Sequence, residues 1–164
     1  NDLLQISPAF AQERTLLIED TPELFPADSN TVKLLTRLPN ADAQGEVTQR
    51  QLVSQALRMR PDRLVLGECR GSEVLDLLTA ANTGHRGIAC TLHANSAREA
   101  LHRIELLSHL AYPAGLPEKA LRTWISLAFQ TVIYVEDLRI LEILETAGCE
   151  DGTILLRPVV RVTK

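Results

Sequence analysis

The chain has 164 residues, 45% of them hydrophobic, which is enough for one domain to bury a substantial core. Its net charge of −4 gives no support for a protein that binds nucleic acid through a basic surface, so we expect no direct nucleic-acid binding. The three cysteines lie far apart in the sequence, which predicts free thiols rather than a disulfide framework or a thiolate zinc site.

Hydrophobic periodicity and turn residues predict helices alternating with strands along the chain. Thr48 and Ser96 are predicted N-caps, the latter in an S-x-x-E capping box, while Pro61 and Gly84 end two helices. The predicted helices are 1–10, 48–60, 72–84, 96–111 and 117–128. The predicted strands are 15–18, 32–38, 63–66, 88–92 and 131–135, followed by a hairpin of 139–144 with 154–162. This order predicts an α/β fold with a mostly parallel sheet, helices on both faces and an antiparallel C-terminal hairpin at its edge.

Three of the predicted strands are followed at once by residues suited to phosphate and metal chemistry. The first is followed by Glu19 and Asp20, the strand 63–66 by Glu68 after one glycine, and the strand 88–92 by His93. Ligands of parallel sheets bind at the carboxyl ends of the strands, so we expect Glu19, Glu68 and His93 to meet at one edge. A carboxylate there can hold Mg²⁺ through water or accept a proton from an attacking water. The alternative is that these acids only occupy solvated turns.

Two histidines and one arginine are the candidates for phosphate contacts. His85 and His93 lie in TGHRG and TLHAN, and an imidazole can donate to a terminal phosphate oxygen. Arg70 follows Glu68 by two residues, and a guanidinium can bind phosphate through two parallel hydrogen bonds. The alternative for each histidine is a structural hydrogen bond, which is also our interpretation of His102 and His109.

Three segments, in order and spacing, resemble the type II/type IV secretion ATPases. Residues 16–24, LLIEDTPEL, resemble the aspartate box of that family, and residues 56–68, ALRMRPDRLVLGE, resemble its Walker B segment. Residues 83–85 and 91–95, TGH and TLHAN, resemble its histidine box. Residues 45–53, GEVTQRQLV, are most similar to the branch that serves Flp (tight-adherence) pili and conjugal transfer.

The resemblance implies a hexameric ring of RecA-like domains that hydrolyses ATP with Mg²⁺ at the cytoplasmic side of the inner membrane. It implies homo-hexamer formation and inner-membrane pilus or secretion components as partners. Glu68 matches the Walker B glutamate, Glu19 and Asp20 match the aspartate-box acids, and His85 and His93 match the histidine box. The resemblance leaves open whether Glu19 or Glu68 is the general base.

One element of the family pattern is missing from the sequence. No glycine-rich loop ending in Gly-Lys-Ser/Thr occurs in it, and the backbone amides and lysine of that loop hold the β- and γ-phosphates. We therefore expect residues 1–164 to be a partial RecA-like ATPase domain, truncated at its N-terminal side and inactive alone. The alternatives are a non-catalytic RecA-like interaction or oligomerisation module, and a DNA-recombination protein, which would need a basic face.

Overall fold

The computed structural model describes residues 13–25, 30–112 and 115–161, so the helix predicted over 1–10 lies outside the described residues. The strands are β1 (Thr15–Glu19), β2 (Thr31–Leu35), β3 (Arg63–Leu66), β4 (Ile88–Cys90), β5 (Thr131–Glu136), β6 (Arg139–Glu150) and β7 (Thr153–Arg161). The α-helices are α1 (Gln49–Ala56), α2 (Glu73–Asn82), α3 (Ala97–Ala111) and α4 (Glu118–Ala128). Within the described ranges, no helix combines the length and the apolar character needed to cross a bilayer.

The chain divides into two compact units. The first contains the described residues up to Cys69 together with Thr83–Thr91, and the second contains Arg70–Asn82 together with the described residues from Leu92 onward. The parallel sheet belongs to the first unit, whereas α2, α3, α4 and the remaining strands belong to the second.

The first unit is a four-stranded parallel sheet in the order β2-β1-β3-β4. All five residues of the inner strand β1 are buried, and its apolar centre, residues 16–18, is completely inaccessible to solvent. A continuous apolar run of this kind is typical of an inner strand of a parallel sheet. Helix α1 packs on β1 and β2 and buries Val53 and Ala56 completely.

Helix α1 begins at the predicted cap but ends earlier than predicted. Thr48 Oγ1 accepts from the amide of Gln51 at 3.2 Å, and Gln51 Oε1 accepts from the amide of Thr48 at 2.9 Å, which completes a capping box. After Ala56 the chain forms one 3-10 turn, and Arg60 then adopts a left-handed φ of 54°. The residue before a proline is disfavoured in the right-handed helical region, so Pro61 shortens the helix predicted over 48–60.

The second unit contains an antiparallel sheet in the order β5-β6-β7. The predicted C-terminal hairpin is confirmed, but it pairs with β5 in a separate sheet rather than at the edge of the parallel one. Both connections are two-residue turns, Asp137-Leu138 and Asp151-Gly152, whose residues all have positive φ. This is the geometry of a type I′ turn, which matches the twist of adjacent antiparallel strands and so favours pairing between neighbours in the chain.

Arg122 of α4 joins three parts of the second unit. Its Nε donates to Glu105 Oε1 of α3 at 2.9 Å, and its Nη1 donates to the carbonyl oxygen of Gly152 in the β6–β7 turn at 3.0 Å. The Arg122 side chain is 32% exposed and that of Glu105 is 13% exposed, so both ends of the pair are partly desolvated.

We expect Arg122→Met to lower the free energy of unfolding by roughly 2–3 kcal/mol, because it leaves a half-buried carboxylate and a carbonyl without their donor. The measurement is a urea titration followed by the fluorescence of Trp124, the single tryptophan of the chain, which lies on α4.

Arg157→Met is the matched control for this prediction. Its hydrogen bond to Glu145, and then the charge of that carboxylate, raise the pKa of Arg157, but the pair is exposed to solvent. Exposed ion pairs contribute little, so we expect a clearly smaller loss than for Arg122→Met. Equal losses in the two variants would contradict the assigned role of Arg122.

Candidate functional site

The carboxyl edge of the parallel sheet brings two of the predicted acidic segments side by side. Ile18 of β1 lies opposite Leu66 of β3, and the amide of Gly67 donates to the carbonyl oxygen of Ile18 at 2.8 Å. Glu19 therefore lies beside Gly67, the residue that precedes Glu68. The prediction that the segments of Glu19 and Glu68 share one edge agrees with this register.

Glu19 is a buried carboxylate with two unlike oxygens. The residue is 3% exposed, and its Oε1 accepts from the amides of Glu23 at 3.0 Å and Leu24 at 2.9 Å. Its Oε2 is buried and has no hydrogen-bond partner among the described residues. Buried polar atoms of native proteins are rarely left without a partner, so this oxygen is a candidate for contact with a ligand or an ordered water.

Gly67 provides the space that the Glu19 side chain occupies. A Cβ atom at Gly67 would lie 3.1 Å from Cγ of Glu19 and 3.3 Å from the carbonyl oxygen of Ile18. Any side chain at Gly67 would therefore crowd Glu19, which would have to shift by a few tenths of an ångström. The glycine that precedes Glu68 thus leaves room for the side chain of Glu19 on the neighbouring strand.

Threonines that follow the two outer strands hold Asp20 directly and the residues on either side of Glu68. Thr36, directly after β2, donates from Oγ1 to Asp20 Oδ1 at 2.9 Å, and its amide donates to the carbonyl oxygen of Glu19 at 3.0 Å. Thr91, directly after β4, donates from its hydroxyl to the carbonyl oxygen of Gly67, and its own backbone carbonyl oxygen accepts from the amide of Cys69 at 2.8 Å. Sequence analysis missed both threonines, although each occupies the first position after its strand.

Asp20 is an exposed residue and Glu68 a half-buried one. In the part of the chain that the structure describes, no three His, Cys, Asp or Glu side chains are grouped as ligands of a metal ion. Mg²⁺ is usually held by one or two carboxylates together with waters and substrate phosphates. The acids of this edge are of the ligand type that Mg²⁺ takes together with waters and substrate phosphates.

Of the three residues predicted to contact phosphate, His85 lies away from the edge that carries the acids. His85 precedes β4 and is half-buried, and nearby Gly87 lies against the carbonyl oxygen of Asp62, which precedes β3. The structure therefore places His85 nearest the amino ends of these strands, not at the edge of the acids. Its Nδ1 is buried and has no hydrogen-bond partner among the described residues.

His93 and Arg70 both belong to the second unit and are both exposed. The amide of Arg70 donates to Glu73 Oε1 at 2.6 Å, which fixes the backbone just before α2. Their contact with a nucleotide, and the meeting of His93 with Glu19 and Glu68, stay predictions.

A family model for "Type II/IV secretion system protein" matches residues 3–138. The chain belongs to this family. Over 123 residues it is 50% identical to a Mycobacterium tuberculosis (strain ATCC 25618 / H37Rv) protein whose name assigns it to conjugal transfer. That match covers 75% of this chain and 34% of the relative.

Two solved structures, of a secretion ATPase and of a pilus motor, are similar to this member of the type II/IV secretion family. The VirB11 ATPase of the Brucella suis type IV secretion system has a TM-score of 0.70 and 30% identity, covering 81% of this chain and 40% of that chain. The pilus retraction motor PilT with bound ADP has a TM-score of 0.57 and 25% identity, covering 94% of this chain and 41% of that chain. The predicted family and the predicted α/β, RecA-like fold are confirmed. The chain spans only 34% to 41% of the length of these three relatives.

Proposed function

We propose that this chain is part of a longer motor ATPase of the type II/IV secretion family, in which it contributes the acidic side of the ATP site. The observation that carries the proposal is Glu19, a buried carboxylate at the carboxyl edge of the parallel sheet with one oxygen lacking a partner. The similarity to an ATPase named VirB11 and to a motor named PilT supports ATP as the nucleotide. ATP hydrolysis would then drive secretion, conjugal transfer or pilus assembly.

We assign two kinds of role to the acids at this edge: proton transfer and metal binding. Glu19 and Glu68 are the candidates for the catalytic base that accepts a proton from the attacking water. Asp20 and Glu68 would hold Mg²⁺ through water, and the ion, when bound, neutralises charge that develops on the phosphates. Thr36 and Thr91 would keep these carboxylates in place, because each binds the backbone or side chain beside one of them.

His85, His93 and Arg70 are the proposed nucleotide contacts, and they rest on the family resemblance rather than on the geometry of this edge. The same holds for a homo-hexameric ring, for inner-membrane pilus or secretion components as partners, and for a position at the cytoplasmic face of the inner membrane. Service to Flp pili is likewise a proposal.

We expect the 164-residue chain by itself to bind ATP weakly, because its sequence contains no Gly-Lys-Ser/Thr loop to hold the β- and γ-phosphates. The measurement is isothermal titration calorimetry with MgATP. The comparison is the longer protein that carries this chain, in which we expect both nucleotide binding and Mg²⁺-dependent hydrolysis. Micromolar affinity of the 164-residue chain would contradict the prediction. A longer protein without ATP hydrolysis would contradict the proposed function and favour a non-catalytic interaction module.

A further inference from the structure

The turn that follows β1 is fastened from the neighbouring strand by a lysine. We call residues 20–25 the acidic turn, because Asp20 and Glu23 lie in it. Lys33, in the middle of β2, donates from Nζ to the carbonyl oxygen of Leu24. The same Nζ lies 4.2 Å from the ring centroid of Phe25, a distance at which an ammonium group is attracted to an aromatic face.

Leu24 is therefore held at both of its backbone polar groups by oppositely charged side chains. Its carbonyl oxygen accepts from Lys33, and its amide donates to Glu19 Oε1 at 2.9 Å. Hydrogen bonds to charged groups are stronger than those between neutral groups. The position of the acidic turn and the orientation of the Glu19 carboxylate thus depend on each other.

The strand register explains why Lys33 can reach this turn. Lys33 lies opposite Leu17, and Leu35 lies opposite Glu19. Side chains two apart in a strand project from the same face, and paired residues share a face. Lys33 and Glu19 consequently project from one face of the sheet, and the acidic turn folds back over that face to meet both.

We infer that Lys33 is a positioning residue for the proposed hydrolysis, acting through Leu24 on Glu19; the inference rests on the proposed function. Without the ammonium group, Leu24 loses its charged donor and Phe25 loses its cation. The amides of Glu23 and Leu24 then hold Glu19 Oε1 less firmly, so the orientation of the whole carboxylate, including the partnerless Oε2, is less fixed. Orientation of a reacting group mainly affects turnover, so the affinity for nucleotide changes little.

The test is Lys33→Met in the longer protein, which keeps most of the apolar stem and removes the charge. We expect kcat for MgATP to fall roughly 10- to 100-fold while KM changes less than about threefold. Hydrogen exchange of a peptide containing Glu23 and Leu24, measured by mass spectrometry on the same preparation, is expected to become about tenfold faster. Lys33→Arg can still donate to Leu24 and stack on Phe25, so it is expected to restore both values.

Lys119→Met is the matched control, since Lys119 is an exposed lysine on α4 in the second unit. We expect the Lys119→Met protein to have the kcat of the wild type and the same rates of hydrogen exchange at Glu23 and Leu24. If Lys33→Met does not fold, Phe25→Leu replaces it; that variant loses only the ring, and its kcat is expected to fall about threefold.

Wild-type turnover in Lys33→Met would overturn the inference, whether or not hydrogen exchange at Glu23 and Leu24 changes. A rise in KM that matches or exceeds the fall in kcat would also overturn it. Either result leaves the proposed function standing, because the wild-type protein still hydrolyses ATP. A wild-type longer protein without hydrolysis overturns the proposed function and, with it, the catalytic part of this inference.

Discussion

Replacing Glu68 with Gln in the longer protein is expected to lower kcat for ATP by roughly 10²- to 10⁴-fold and to leave nucleotide affinity largely unchanged. The amide keeps the size of the side chain but removes the negative charge that would hold Mg²⁺ and the lone pair that could accept a proton. The local fold should persist, because Thr91 holds this segment through backbone atoms of Gly67 and Cys69. Turnover and nucleotide affinity are measured on the same purified variant.

The matched control for Glu68→Gln is Glu46→Gln, which changes an exposed acid in the loop before α1 of the same unit. We expect it to behave as the wild type. Near wild-type hydrolysis in Glu68→Gln would mean that Glu68 has only a structural role. Loss of binding together with turnover would mean that it mainly holds the metal ion.

Replacing Glu19 with Gln is expected to reduce kcat by a similar factor, roughly 10²- to 10⁴-fold, if Glu19 is the general base. The amide oxygen can still accept from the amides of Glu23 and Leu24, so the acidic turn is expected to stay in place. The amide nitrogen would take the position of the partnerless Oε2, which cannot then accept a proton. Hydrogen exchange at Glu23 and Leu24 should therefore match the wild type, unlike that of Lys33→Met.

Two further variants separate the roles of Glu19. Glu19→Ala removes both oxygens, so we expect it to lose turnover and also to accelerate exchange at Glu23 and Leu24. Glu23→Gln changes an exposed acid of the acidic turn and is expected to have no effect on either measurement. If Glu19→Gln keeps its turnover while Glu68→Gln loses it, Glu19 holds the acidic turn and Glu68 is the base.

The edge at which the candidate acids lie could be predicted from sequence because it depends only on local pattern. Glu19 ends one short apolar strand and Glu68 follows another after one glycine, and the carboxyl ends of parallel strands lie at one edge whatever the register. The side chains that hold them could not be predicted in the same way. Thr36, Thr91 and Lys33 reach their partners because Glu19 lies opposite Leu35 and Leu66 lies opposite Cys90. Sequence periodicity does not reveal which residues of two distant strands face each other.

The same limit applies to the antiparallel sheet. The β6–β7 turn contains Asp151-Gly152, a strong signal for a two-residue hairpin, and that hairpin was predicted. The β5–β6 turn contains Asp137-Leu138 instead, and Leu138 has a φ of 59° and is almost fully exposed. Leucine seldom adopts a positive φ, so no pattern in the sequence indicated that β5 pairs with β6.

The interrupted course of the first unit has a consequence for how the protein forms during synthesis. Thr15 of β1 pairs with Arg63, and Leu64 of β3 pairs with Ile88, after a stretch that belongs to the second unit. Closing such long loops loses chain entropy before any contact compensates for it, whereas β5, β6 and β7 pair through two-residue turns. The nascent chain therefore carries the buried apolar run of residues 16–18 without its β3 partner until residues 63–66 have left the ribosome. An apolar strand with one unpaired edge promotes aggregation, so we expect newly made chains to be prone to aggregation during this interval.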